Sequence, residues 1–117
     1  MITAPMLKLT HDAAEAVLIL TEGLARADLL RSRLTRAEVL RQLCCLADTL
    51  GDAPDALRHR LPELDWAGWR ATRLVLPEAG AAQDEALWFA VQSLVPATLS
   101  WLRVYRQEQP ALFTAWG

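Results

Sequence analysis

Apolar residues recur at intervals of three and four positions along most of the chain. The clearest run lies between Thr35 and Gly51. This spacing places the apolar side chains on one face of a helix. Thr35 with Glu38 fits a capping box at the start of that helix, and Gly51 fits a left-handed cap at its end. The apolar positions of this run are Val39, Leu40, Leu43, Leu46, Ala47 and Leu50.

The same pattern predicts four further helices, two of them long and two short. Pro96 lies inside the last one and should kink it, and Asp84 is expected to cap that helix. Residues 1–9 are predicted to form a loose arm, and residues 110–117 form an apolar tail. The predicted spans are 12–31, 54–61, 65–76 and 84–109.

No segment alternates between apolar and polar residues over a useful length, which argues against strands. The length of 117 residues fits one domain with its own core. The predicted fold is therefore all-α, an antiparallel bundle of four to five helices in a single domain spanning residues 1–117.

Composition points to a surface that meets a partner. Apolar residues make up 53% of the chain and include five tryptophans. A chain this short cannot bury all of that area, so part of it is expected at an interface. The aromatic candidates for a dimer or partner surface are Trp66, Trp69, Trp101, Tyr105 and Trp116, with the bundle core as the other expected location for Trp66 and Trp69.

Charge and cysteine content exclude several classes of function. A net charge of −2 is unlike that of a general nucleic-acid binder. Cys44 and Cys45 are the only cysteines and have no neighbouring ligands for zinc, so neither a metal nor another cofactor is predicted. The N-terminus does not read as a signal peptide, and no apolar run is long enough to span a bilayer. We expect a cytoplasmic protein that does not contact membranes.

One stretch carries a spacing that is typical of a known family. Gly51-Asp52-Ala53 closes the second helix, Pro62 to Trp66 forms the following connection, and Arg73 comes at a fixed distance after it. Asp84 and Trp88 then follow in register without a gap. This arrangement, over about residues 12–105, resembles the HepT-like branch of the HEPN superfamily, which consists of small helical proteins.

The resemblance fails at the residues that carry the family's chemistry. The family motif runs Arg-Asn, then His, then Tyr, whereas this chain has Leu74, Glu78 and Gly80 at the last three of these positions. RNA cleavage needs an imidazole to handle a proton and a cation to balance the phosphate. Arg73 could still balance a phosphate, but an ionised Glu78 would repel it and cannot replace a neutral imidazole near pH 7.

The family resemblance also implies partners. HepT-like toxins are homodimers whose motif regions face each other, and they pair with a small nucleotidyltransferase antitoxin that can adenylylate the motif Tyr. With Gly80 at that position, such a modification is not expected here.

The arginines of the central segment leave two interpretations open. Arg70 and Arg73 could contact a nucleotide or an RNA backbone, together with Arg58 and Arg60. Internal pairing, for example of Arg73 with Asp52 or Glu78, is favoured because carboxylates lie close in sequence and the total charge is negative. RNA binding is therefore conceivable but not favoured. The candidate residues for nucleotide, RNA or partner binding are Asp52, Arg70, Arg73 and Glu78.

Three functions remain in competition. The leading hypothesis is a catalytically degenerate HepT-like protein of a toxin–antitoxin-type system, which acts by binding as a homodimer, with a nucleotidyltransferase, or both. The alternative is a HEPN ribonuclease with an altered site built from Arg73, Glu78 or His59, although His59 is expected on the exposed face of a short helix. A bundle that binds a small ligand is the third.

Overall fold

The computed structural model of the protein describes residues 3–114, which fold almost entirely into helices. No strand occurs within this range, so the all-α helical bundle predicted from the sequence is confirmed. None of the helices in this part of the chain is long and apolar enough to cross a bilayer. The helices are α1 (Thr3–Thr21), α2 (Arg26–Arg31), α3 (Arg33–Gly51), α4 (Asp55–Arg60), α5 (Trp66–Val75), α6 (Ala81–Phe89) and α7 (Val95–Glu108).

The N-terminal part of the chain differs from the prediction. Residues 3–9 belong to α1, so the expected loose arm is wrong over these positions. The reason is packing: Leu7 is fully buried in a cluster with Leu57, Leu61 and Tyr105, and burial of that side chain ties the first turns to the bundle. The predicted 12–31 helix is in fact two helices, because α1 ends at Thr21 and α2 begins at Arg26.

Both ends of α3 also depart from the sequence pattern. Ser32 occupies the position before the first helical residue, so Thr35 lies inside the helix and the predicted capping box does not form. Glu38 instead accepts hydrogen bonds from Arg41 and Gln42 on its own helix. At the other end Gly51 is the last helical residue and does not have a positive φ, so a left-handed cap is also wrong.

The C-terminal helix begins earlier than predicted and is not uniform. Gly80 precedes its first residue, and Asp84 lies within its first turn rather than at the cap. Between α6 and α7 the residues Ala90–Leu94 form a π turn, which leads directly into α7. Pro96 has no N–H to donate and crowds the preceding turn; the π turn lies directly before it, and helical residues follow one another without a break from Ala81 to Glu108.

Most of the buried residues belong to two clusters. The larger is formed by α1, α3, α5 and the last helix, with Val17, Leu43, Trp69 and Leu87 fully buried. The smaller joins α1, α4 and α7. A 3-10 turn, Pro110–Phe113, buries Phe113 in the smaller cluster, so this part of the apolar tail packs on the bundle. Trp116 lies outside the described residues.

Candidate binding site at the Arg73 corner

The candidate site is organised around Arg73, near the end of α5, where it packs on the last turn of α3. Its Nη1 donates a hydrogen bond to Asp52 Oδ1 at 2.8 Å. Its Nε lies 3.2 Å from Asp48 Oδ1. These two carboxylates raise the pKa of the Arg73 guanidinium, with the hydrogen bond to Asp52 as the largest cause. We refer to Asp48, Gly51, Asp52 and Arg73 as the Arg73 corner.

Gly51 makes this corner possible by having no side chain. A β carbon built on Gly51 would lie 2.8 Å from Nη1 of Arg73 and 3.1 Å from its Cδ. The arginine stem therefore crosses the surface of α3 at this residue. Gly51 is needed for the close approach of another side chain, not for a special backbone conformation.

Of the two pairings expected for Arg73, the structure contains the one with Asp52. Glu78 is exposed, and its side chain makes no hydrogen bond or ion pair within residues 3–114. Arg70 is also exposed and has no partner in that range. The four candidate site residues therefore separate into a paired couple, Arg73 with Asp52, and two solvated side chains.

The turn between α5 and α6 forms an open groove beside the Arg73 corner. The groove has a volume of about 320 Å³. Leu74 borders it and is 82% exposed, although a leucine of this kind is usually buried. Gln83 holds the turn from inside, since its Nε2 donates to the carbonyl of Leu76 at 2.6 Å. The other residues lining the groove are Val75, Glu78, Ala79, Gly80, Ala81 and Ala82.

Gly80, the residue before α6, has an unusual backbone conformation. Gly80 has φ 144° and ψ −172°, a region that residues with a side chain rarely adopt. No heavy atom lies within 4 Å of a β carbon built there. The backbone at this position therefore suits glycine.

Two of the aromatic candidates for a partner surface lie inside the bundle. Trp69 is fully buried and donates from Nε1 to Thr98 Oγ1 at 3.1 Å. Tyr105 is 2% exposed, and its hydroxyl bonds to Glu63. Trp69 therefore takes the core location that was one of its two expected places, whereas Tyr105 is corrected from the partner surface to the core, because its ring is covered and its hydroxyl is bonded within the chain.

Trp66 and Trp101 remain at or near the surface. Trp66 is partly buried and donates from Nε1 to the carbonyl of Leu61 at 2.9 Å. Trp101 is 36% exposed and stacks on Tyr105 with ring centroids 5.9 Å apart. Trp101 is thus the described aromatic candidate with the most surface left for a partner.

The other chemically active side chains do not join the Arg73 corner. His59 is exposed on α4, as expected, and His11 lies on α1. Cys44 is partly buried on α3, and burial raises the pKa of its thiol. Within residues 3–114 no three His, Cys, Asp or Glu side chains lie close enough together to hold a metal ion.

The sequence interpretation missed Asp48 and Leu74. Asp48 lies one helical turn before Asp52, so the i, i+4 spacing was a signal that both carboxylates share a face of α3. Leu74 was noted only as a departure from the family motif, and its exposure depends on which face of α5 packs inward.

Comparisons with known proteins return no match: no protein-family model, no curated protein and no solved structure is significantly similar to this chain.

Proposed function

We propose that this chain is a catalytically inactive HepT-like protein of a toxin–antitoxin-type system, which acts by binding as a homodimer or with a nucleotidyltransferase. The observation that carries the proposal is the pairing of the Arg73 guanidinium with Asp48 and Asp52. This is the arginine that would have to balance a phosphate in an RNA-cleaving protein of the family.

The charges at the Arg73 corner disfavour RNA cleavage. Two carboxylates, from Asp48 and Asp52, already oppose the single charge of Arg73. A phosphate diester brought to this surface would therefore meet a net negative environment. No imidazole is available from residues 60–117, because the histidines of the chain are His11 and His59.

The arrangement of the three alternative catalytic residues weakens the ribonuclease hypothesis. Arg73 lies on α5, Glu78 on the following turn and His59 on α4. In the described residues neither Glu78 nor His59 makes a hydrogen bond or ion pair with Arg73. General acid–base catalysis requires the participating groups to reach the same reacting atoms, and nothing in the local hydrogen bonding holds these three together.

The groove beside the corner supplies a surface for a partner. Leu74 is nearly fully exposed there, and small residues on either side of Gly80 leave room for a side chain from another molecule. A partner that covered this groove would remove the apolar surface of Leu74 from water. We therefore place the proposed partner surface on the α5–α6 turn.

The test is direct assay of the purified protein on single-stranded RNA, together with expression in growing cells. We expect no cleavage and no growth arrest. RNA cleavage that Arg73→Ala abolishes and Arg70→Ala retains would overturn the proposal, because Arg70 is a nearby exposed arginine without an ion-pair partner in residues 3–114.

Association is measured in parallel by sedimentation, with the chain alone and with a small nucleotidyltransferase where a neighbouring gene encodes one. A chain that stays monomeric and does not bind that enzyme would contradict the binding role. The sedimentation result does not depend on the RNA-cleavage result. The absence of catalysis and the presence of binding are therefore tested separately.

A further inference from the structure

A cavity of about 140 Å³ lies between α1 and α7, and none of its lining residues belongs to the Arg73 corner. The two α1 residues that line it are four positions apart and so share one helix face. The α7 residues also share one face, at spacings of three and four. The lining residues are His11, Glu15, Leu99, Leu102, Arg103 and Arg106.

The cavity combines an apolar wall with a charged rim. Leu102 is buried and Leu99 is partly buried, whereas Arg103 and Arg106 are exposed. A ligand with an apolar body and a polar head would match both parts, since small-molecule sites are mostly apolar with a few polar groups that fix orientation. In size the cavity resembles one of about 150 Å³ that is known to accept benzene.

The charges on the rim favour an anionic head group. Two guanidinium groups, from Arg103 and Arg106, face one carboxylate from Glu15. That carboxylate lies 3.4 Å from Nε2 of His11, so it already has a neighbour within the cavity wall. The side chain of Arg103 makes no hydrogen bond or ion pair within residues 3–114 and can turn toward a ligand. Guanidinium groups bind carboxylates through two parallel hydrogen bonds, which fits such a head group.

We propose that this cavity binds a small carboxylate with an aromatic or short aliphatic body. The carboxylate contacts Arg103 and Arg106 at the rim, and the body packs on Leu99 and Leu102 between the two helices. This site is separate from the proposed partner surface, so it stands whether or not the chain belongs to a toxin–antitoxin-type system.

Benzoate is the probe for this proposal, with benzyl alcohol as the neutral analogue and benzylamine as the cationic one. Titration followed by amide NMR should give saturable benzoate shifts in residues 11–15 and 99–106. Arg103→Gln should weaken benzoate binding about tenfold, which is the loss expected for one charge-assisted hydrogen-bonding partner. Arg106→Gln should weaken it in the same direction, and the control Arg70→Gln should bind like the unmodified protein.

Several results would overturn the proposal. One is the absence of benzoate shifts in the two segments at benzoate concentrations up to tens of millimolar, roughly the limit of weak specific binding. Another is equal binding of benzyl alcohol or benzylamine at the same site. Unchanged benzoate affinity in both arginine variants would also overturn it. Circular dichroism of each variant confirms that it is folded, which is expected because both arginines are exposed.

Discussion

The side chain of Arg73 lies where Gly51 would carry a β carbon, with Nη1 only 2.8 Å from that position. The contact joins the end of α3 to the end of α5 and directs the guanidinium toward Asp52. The sequence pattern predicts Gly51 as the end of a helix. In the structure its lack of a side chain also makes room for the charged side chain of Arg73 from another helix.

The first prediction concerns this contact. Gly51→Ala should stabilise the protein by less than the helical preference of Ala over Gly, about 1 kcal/mol, because the new methyl displaces Arg73. In an Arg73→Ala background the same change should be more favourable, since alanine has no atom beyond its β carbon to meet the methyl. Urea unfolding of the four proteins measures the free energy of unfolding of each. An identical effect of Gly51→Ala in both backgrounds would contradict the close approach.

The second prediction concerns the hydrogen bond between Trp69 and Thr98. Thr98→Val leaves the indole N–H of Trp69 buried without an acceptor, and should cost about 1–3 kcal/mol of unfolding free energy. Thr21→Val is the matched control. Thr21 is also buried and also donates to the carbonyl four residues earlier, at 2.8 Å, but no indole donates to it in the described residues. Equal costs for the two variants in urea unfolding would show that the indole bond contributes nothing.

The third prediction concerns the proposed partner surface. Leu74→Glu should leave the unfolding free energy nearly unchanged, because the side chain is exposed, but should weaken self-association or binding of the nucleotidyltransferase. Ile19→Glu serves as control, since Ile19 is 67% exposed and lines a different groove on α1. Sedimentation at several concentrations measures both variants. A larger effect from Ile19→Glu would move the partner surface to α1.

The fourth prediction concerns pH. Hydrogen bonds from Arg41 and Gln42 lower the pKa of Glu38 from 4.5 to about 2. A carboxyl group whose pKa is lower in the folded state stabilises that state above its unfolded pKa, and the stabilisation is lost as pH falls toward the folded pKa. The urea midpoint of the unmodified protein should therefore fall more than that of Glu38→Gln between pH 5 and pH 2. The difference is small, because Glu38 and Arg41 are on the surface. Parallel pH profiles would contradict the lowered pKa.

The fifth prediction concerns the turn before α6. Gly80→Ala should cost about 1–3 kcal/mol through backbone strain alone, since the built β carbon meets no other atom. Ala79→Gly, one position earlier in the same turn, controls for a general sensitivity of this segment. Thermal unfolding followed by circular dichroism gives both values. If Gly80→Ala is neutral, then the positive φ at this residue is not required by the fold.

Helix positions were predictable where burial repeats along the sequence. Leu43, Leu46 and Leu50 lie on one face of α3 because each turn must present an apolar side chain to the core. The spacing of three and four residues between them shows this in the sequence. The predicted starts of α4 at Pro54 and of α5 at Asp65 each fall one residue before the first helical residue. Asp65 there caps α5, since its carboxylate accepts from the amide of Gly68 at 2.8 Å.

The predicted starts of α3 and α6 were wrong where the residue before the helix makes no side-chain capping hydrogen bond. Ser32 makes no side-chain capping hydrogen bond, and Gly80 has no side chain to cap with, so the more typical Thr35 and Asp84 were chosen instead. Asp84 has a long-range role, accepting a hydrogen bond from Arg36 at 2.6 Å. Such pairs depend on how two helices pack, which a periodic pattern does not contain.

The candidate site was predictable in the same limited way. Arg73 and Asp52 could be paired from charge and proximity along the chain, but the crossing of Gly51 required the packing of α5 on α3. The burial of Trp69 and Tyr105 was ambiguous, since a large aromatic residue suits a core and an interface equally well.

The π turn at Ala90–Leu94 has a consequence for aligning this chain with homologues. A turn of this kind holds one residue more than a regular helical turn, so every side chain after it is rotated by about 100° relative to an uninterrupted helix. Homologues with a plain helix in this region would align with the residues after Leu94 only after a single-residue gap inside that turn.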